Sequence, residues 1–242
     1  DQACGEVGMG RMLEAEEIFE EIDACFQPKL LAGKRVLITA GPTFESIDTV
    51  RGITNTSSWK MGYAVARAAR DAGAVVTLVS GPTALAAPRG LERIDVLSAL
   101  QMYDAVMARV ARADVFIAVA AVADYRPKEA KPHKMKKGTG AVTLELQPNP
   151  DILGTVAARK RPPFCVGFAA ETENLEAYAE AKRRRKKVPL LAANLAQHAF
   201  GADDNQLILF DDQGKHELAR APKIVLARQL IAHIAKLSAK PR

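Results

Sequence analysis

The 242 residues carry 34 Lys and Arg against 28 Asp and Glu, a formal net charge of +6, with 48% hydrophobic residues. This is the composition of an ordinary globular chain, long enough for one large α/β domain or two small ones, whose positive surface favours anionic ligands. The three cysteines (Cys4, Cys25, Cys165) are too scattered for a disulfide framework or a zinc site, no apolar run spans a membrane, and the opening DQACGEVGMGRM lacks signal-peptide order, so the expected location is cytoplasmic.

The first 33 residues include EAEEIFEEIDACF, a possible helix with no strand before it. The run RVLITA (35–40) reads as a buried strand, and a loop through GPTFESIDTVRGITNTSSW leads to a helix from about 60 to 72 with Ala64, Val65, Ala68 and Ala69 on one face. AVVTLVSG (74–81) is a second strand and RIDVL (93–97) a third; Ser98 is positioned to cap the helix that follows. DVFIAVAAVADY (114–125) is a buried strand with its carboxyl loop. RPKEAKPHKMKKGTG (126–140) reads as a mobile loop, and VTLELQP (142–148) as a half-exposed strand. Asp151 opens a helix, FCVGFAAE (164–171) and PLLAAN (189–194) are buried strands, and NLEAYAEAKRRRKK (174–187) is a basic helix between them. A hairpin over 205–220 turns at Asp-Asp-Gln-Gly, and an amphipathic helix closes the chain. Strands alternating with helices predict a mainly parallel sheet covered on both faces.

Ligands of such sheets bind at the carboxyl ends of the strands. The loops there hold an Arg, several Lys, two Asn and an Asp, a set rich in anion-binding groups and poor in nucleophiles. No GxGxxG follows the first strand and no GxxxxGK[ST] occurs. His133, His198, His216 and His233 all lie in polar segments, for which solvent exposure is the favoured reading. Two rival readings rest on single features. Tyr178 and Lys182 match the YxxxK spacing of NADP-dependent short-chain dehydrogenases, but without the glycine-rich cofactor turn. The RRRKK run suits an RNA-binding protein, but aromatics are few and no nucleic-acid module is visible.

The motifs ITAGPT, VRGITNTSSWKMG, VTLVSGPT, AAVADYRP, KMKK, NPDIL, VGFAAET and AAN, in this order and spacing, closely resemble bacterial phosphopantothenate–cysteine ligase from Gly33 to about Leu237. The start, ACGEVGMGRM, resembles the C-terminal segment of the flavin-dependent decarboxylase fused upstream of that ligase in many bacteria. The resemblance implies a three-layer Rossmann-like α/β fold with a β-rich dimerisation extension. Residues 31–242 would form the ligase domain. Residues 1–30 would be a decarboxylase remnant and linker, expected to be disordered, and FMN would belong to the upstream domain alone.

It implies a reaction in which the phosphopantothenate carboxylate attacks the α-phosphate of CTP, with Mg²⁺, and the cysteine amine then displaces CMP from the acyl-cytidylate. It carries residue roles as well. Lys134 faces the α-phosphate from a flexible lid, or is otherwise a solvated lysine. Asn55 handles the acyl-cytidylate, or only caps a turn. Arg51 binds the phosphate of phosphopantothenate, across a homodimer. Ala120 and Ala121 offer backbone groups to the base and Asp124 meets the ribose or base, or only caps its loop. Phe168 lines the nucleotide pocket, Lys182 and Lys186 share one helix face toward the triphosphate, and Asn194 lines the same crevice. The metal ligands are not identified by it, Cys4 has no role without the flavin domain, and neither nucleic acid nor membrane is expected as a partner. The family usually reads SSGKMG where this chain has Ser57, Ser58 and Trp59 before Lys60. That loop is expected to hold an anion through Asn55, Ser57, Ser58 and backbone N–H groups, less well than with glycine.

Overall fold

The computed structural model describes residues 12–56, 59–171, 173–195 and 204–239. Six parallel strands form most of the main sheet: β1 (Arg35–Ala40), β4 (Val75–Ser80), β5 (Glu92–Asp95), β6 (Val115–Ala118), β9 (Phe164–Glu171) and β10 (Leu190–Leu195). Their spatial order is β5-β4-β1-β6-β9-β10, the doubly wound 3-2-1-4-5-6 arrangement. The antiparallel hairpin β11 (Asp204–Asp211) and β12 (Gly214–Pro222) extends the β10 edge.

Side chains alternate across this sheet, so each apolar strand feeds two cores. Val36, Ile38, Val115, Ile117 and Leu190 face α2 (Lys60–Asp71) and α6 (Lys223–Ser238) on one side. Leu37, Phe116 and Cys165 face α3 (Ala99–Met107) and α4 (Ile152–Ala157) on the other, where α5 (Leu175–Lys186) packs on Leu191 and Ala193. Ser98 caps α3 by accepting from the Gln101 N–H at 3.2 Å, while the Gln101 side chain returns to the Ser98 N–H, a capping box. Removing such a cap costs about 1 kcal/mol.

Two short ladders stand above the carboxyl edge of the sheet. In place of the expected featureless loop after β1, β2 (Phe44–Ser46) pairs with β3 (Gly52–Thr54). β7 (Tyr125–Pro127) pairs with β8 (Leu146–Pro148), a strand shorter than the predicted 142–148, and β2 lies against β7. Both ladders are only three residues long, too short for periodicity to announce them.

The expected disorder of residues 1–30 fails where the structure describes that segment. Helix α1 (Ala15–Phe26) buries no side chain but presents its acidic face to arginines of α2 and α6. Arg67 pairs with Glu20 at 2.6 Å, Arg70 with Glu21 at 2.9 Å, and Arg228 with Asp23. Partly exposed pairs of this kind contribute roughly 0.2–1 kcal/mol each. Cys4 lies outside the described residues.

Two histidines also depart from their expected exposure. His133 is exposed and His198 lies outside the described residues, but His216 and His233 are half-buried against the Asp211 carboxylate. The 3.6-residue repeat of α6 turns His233 toward the sheet, a contact invisible without the register of β11 and β12.

Candidate active site

The strand order reverses between the adjacent parallel strands β1 and β6, and their carboxyl ends meet closely. Pro42 and Ala121 form an isolated parallel bridge, the Ala121 N–H donates to the Gly41 carbonyl at 2.9 Å, and the Ala121 carbonyl accepts from the Thr43 N–H at 3.3 Å. Gly41 has φ +74°, and a Cβ there would lie 2.8 Å from the Gly81 carbonyl oxygen. A Cβ on Gly81 would lie 1.5 Å from the Pro42 carbonyl oxygen, so the two Gly-Pro-Thr turns pack backbone against backbone and admit only glycine.

Beside this crossing lies a cleft of about 230 Å³ between the β6 and β9 carboxyl loops and α5. Ala120, Asp124, Phe168, Lys182 and Lys186 line it, together with Thr39, Asn149 and Asp151. Lys182 and Lys186 are one helical turn apart, so both ammonium groups enter from α5. Lys182 Nζ donates to the Phe168 carbonyl at 3.0 Å, and Lys186 pairs with Asp151, whose other carboxylate oxygen caps α4 by accepting from the Gly154 N–H at 3.0 Å. Burial pushes the Lys182 ammonium below the usual lysine range, against the opposing pull of Glu171. Burial also raises the Asp151 carboxyl, but the Lys186 and Gly154 hydrogen bonds outweigh it and hold the group low. Arg183 and Arg184 turn elsewhere: Glu180 holds both, and its own carboxyl falls to about 2, chiefly through the Arg183 hydrogen bond. Larger depressions, of about 460 and 790 Å³, open at the amino ends of the strands, where none of the candidate ligand-binding loops reaches.

The other predicted residues form a second group. The β7–β8 ladder is the base of an irregular excursion, 128–145, that carries Lys134. Expected to be a mobile loop, it is anchored on the turn between β2 and β3: the Lys131 N–H donates to the Ile47 carbonyl at 2.9 Å, and the Met135 N–H to Asp48 Oδ2 at 3.1 Å. Asp48 Oδ1 accepts from the N–H groups of Val50 and Arg51, an Asx turn. Arg51 Nη2 donates to the Met135 carbonyl, and its Nε lies 3.4 Å from Asp48 Oδ2. The Asp48 carboxyl is held below the usual range by the Val50 hydrogen bond, against burial, with Met135 and Arg51 adding. Lys134 itself is exposed, one residue from this clamp.

Asn55 Nδ2 donates to the Ala121 carbonyl at 3.1 Å, which joins β3 to the β1–β6 crossing. Both backbone groups of Ala121 are therefore engaged within the fold, whereas Ala120 borders the cleft. Asn194 is buried at the end of β10 and donates to the Leu195 carbonyl at 3.2 Å, outside the cleft lining. Trp59 occupies the N-cap of α2 with φ +54°, half-buried; Ser57 and Ser58 lie outside the described residues. Sequence reasoning assigned no role to Asp48, Asn149 or Asp151. The Asx turn and the helix cap were readable signals for two of them. Asn149, which donates to the Ala123 carbonyl at 2.8 Å and accepts from Arg126, was marked only by its place in the NPDIL motif.

Residues 31–237 match the family model described as the DNA/pantothenate metabolism flavoprotein C-terminal domain. The chain belongs to this family. Among curated relatives, the coenzyme A biosynthesis bifunctional protein CoaBC of Vibrio cholerae is 51% identical over 94% of the chain, and that of Bacillus subtilis 45% over 98%. The chain spans about 58% and 60% of their lengths. A solved C-terminal domain of a CoaBC protein superposes with TM-score 0.75 at 42% identity, covering 86% of this chain and 97% of that one. That domain shares this fold, and the GPT and NPDIL segments of this chain border the crossing and the cleft.

Proposed function

We propose that this domain is a phosphopantothenate–cysteine ligase of coenzyme A biosynthesis that uses CTP. The observation that carries the reading is the pair Lys182 and Lys186, directed from one face of α5 into a cleft at the carboxyl ends of β6 and β9. The naming of the bifunctional relatives for coenzyme A biosynthesis supports it.

The chemistry suits a site with cations and no nucleophile. The substrate carboxylate attacks the α-phosphorus of CTP, and the bond to pyrophosphate breaks. The cysteine amine then attacks the acyl carbon, CMP leaves, and the amine proton passes to solvent. Lys182 and Lys186 hold the triphosphate, Lys134 meets charge developing at the α-phosphate, and Arg51 takes the phosphate of phosphopantothenate. Asn55 donates to the acyl-cytidylate as the amine attacks, and Asp124 and Ala120 border the nucleoside. Catalysis then consists of positioning and charge stabilisation. Mg²⁺ is held through few carboxylates and mostly through substrate phosphates. Asp124, exposed at the cleft rim, fits that role, while the Asp151 carboxylate is committed to Lys186 and Gly154. The ion would neutralise phosphate charge there.

The β2–β3 and β7–β8 layer serves as a homodimer face, consistent with the exposed Val50, Tyr125, Val142 and Leu146 on it. The family match begins at residue 31, which supports reading residues 1–30 as lying outside the ligase domain. A dehydrogenase reading is not favoured: Tyr178 is exposed while Lys182 turns into the cleft. Among the described residues, no helix is long and apolar enough to cross a membrane.

Product analysis tests the assignment. With phosphopantothenate, cysteine and Mg²⁺, mass spectrometry should detect phosphopantothenoylcysteine when CTP is supplied, and much less with ATP. If neither nucleotide yields it, the assignment is wrong; equal yields would remove CTP specificity alone.

A further inference from the structure

At the opposite edge of the sheet, three donor groups from three segments converge. Asp211 ends β11, His216 lies near the start of β12, and His233 projects from α6. β12 pairs His216 with Leu209, which sets His216 diagonal to Asp211 on the same sheet face, and α6 covers that face. Asp211 Oδ2 lies 2.7 Å from His233 Nε2 and 3.1 Å from His216 Nε2, and all three donor atoms fall within 4.8 Å of one another. The imidazole centroids are 4.7 Å apart with the rings inclined by 55°, a tilted rather than stacked pair.

Hydrogen bonding leaves this cluster incomplete. Asp211 Oδ1 accepts from the Gln213 N–H at 2.7 Å, which orients the carboxylate, and Oδ2 is shared with His233. His216 Nε2 is buried 3.1 Å from Oδ2, an oxygen it shares with His233 and meets in poor hydrogen-bond geometry, and it has no partner besides that carboxylate. A buried ring nitrogen left so is costly. A cation at the common focus would satisfy it. Flanking charges do not oppose one: Lys215 is paired with Glu176 and Glu217, and Arg183 with Asp212 and Glu180.

We propose that Asp211, His216 and His233 form a binding site for a divalent transition-metal ion of the zinc class, separate from the ligase cleft. Two imidazoles and one carboxylate form a recurring three-ligand zinc set, with solvent as the fourth ligand. Donors at zinc distances in a tetrahedron lie about 3.4 Å apart, so taking up an ion widens the 3.1 Å His216 spacing by about 0.3 Å and the 2.7 Å His233 spacing by about 0.7 Å. The Gln213 N–H supplies the outer hydrogen bond that fixes a ligating carboxylate. Because β11 runs antiparallel to β10, Asp211 stands at the amino edge of the parallel strands, away from the cleft. The ion therefore ties the terminal hairpin to α6 and takes no part in ligation.

Tag-free, chelator-treated protein titrated with zinc sulfate should bind one ion per chain by calorimetry. Zinc at a hundredfold over Kd should raise Tm by roughly 5–10 °C, and cobalt(II) in its place should give the visible bands of a four-coordinate site. His216→Gln and His233→Gln, checked for native folding by circular dichroism, should each weaken zinc binding at least tenfold and leave CTP affinity unchanged. No zinc uptake by the wild-type protein at micromolar concentration, or undiminished uptake by both folded variants, would overturn the proposal.

Discussion

The molecule sets two kinds of lysine around its cleft. Lys182 and Lys186 stand on a regular helix, half-buried, with their ammonium groups already directed inward. Lys134 stands on an irregular excursion, exposed, located only by the clamp of Asp48 and Arg51 on Met135. The helix fixes side-chain direction through its 3.6-residue repeat, whereas the clamp fixes backbone and leaves the lysine side chain free. A pre-directed cation suits a ground-state triphosphate. A free one on an anchored loop suits charge that appears only during reaction, so loss of either class should have a different signature.

Lys134→Gln should break that contrast most severely. Removing a donor to developing charge costs about 3 kcal/mol, a rate loss of roughly 10²–10³, with little change in CTP affinity or Tm. Quenched-flow mass spectrometry should find no acyl-cytidylate in this variant and an accumulation of it in Asn55→Ala. The reverse pattern would exchange their roles.

Lys182→Met should act on binding, weakening CTP about tenfold or more, roughly 1.4 kcal/mol, while Tm holds or rises because a partly buried charge is removed. The pH dependence has a definite sign. Free Lys182 has a depressed pKa and a bound polyanion raises it, so affinity is full below the free-protein value and falls as pH rises between the two values. Calorimetry across the alkaline range should show this decline in the wild type and lose it in the methionine variant.

Asp48→Asn sharpens the other side. The asparagine amide turns a donor toward the Met135 N–H or Arg51, where a carboxylate oxygen had accepted. The variant should lower both kcat and Tm, unlike Lys134→Gln, and hydrogen exchange should rise at Met135. The carboxyl's depressed pKa makes the clamp's contribution fully present above the unfolded value of about 3.9, and lost as acid takes the group through its lower folded value. An unchanged exchange rate would remove Asp48 from lid placement.

The smallest effect concerns Trp59. A non-glycine αL residue costs roughly 1–2 kcal/mol, and glycine returns about half of that in chain entropy. Trp59→Gly should therefore raise Tm by about 2 °C and leave CTP affinity equal or better. A loss beyond tenfold would make the indole a working contact.

The strands of the main sheet were legible because each apolar run alternates between two cores, as Leu37 against Val36 and Ile38 illustrates. Lys182 and Lys186 followed from helical spacing. The β2–β3 and β7–β8 ladders were not legible, being set by tertiary pairing rather than pattern. The clamp joins residues more than eighty positions apart, and the docked acidic helix α1 depends on arginines distant in sequence. The Ala121 backbone contacts likewise arise only when β1 and β6 become neighbours.

Pyrophosphate release by the wild-type domain tests the central claim most directly. With phosphopantothenate, CTP and Mg²⁺ but no cysteine, the account predicts a stoichiometric burst as acyl-cytidylate fills the site, and continuous release once cysteine is added. No pyrophosphate from CTP under either condition would contradict it.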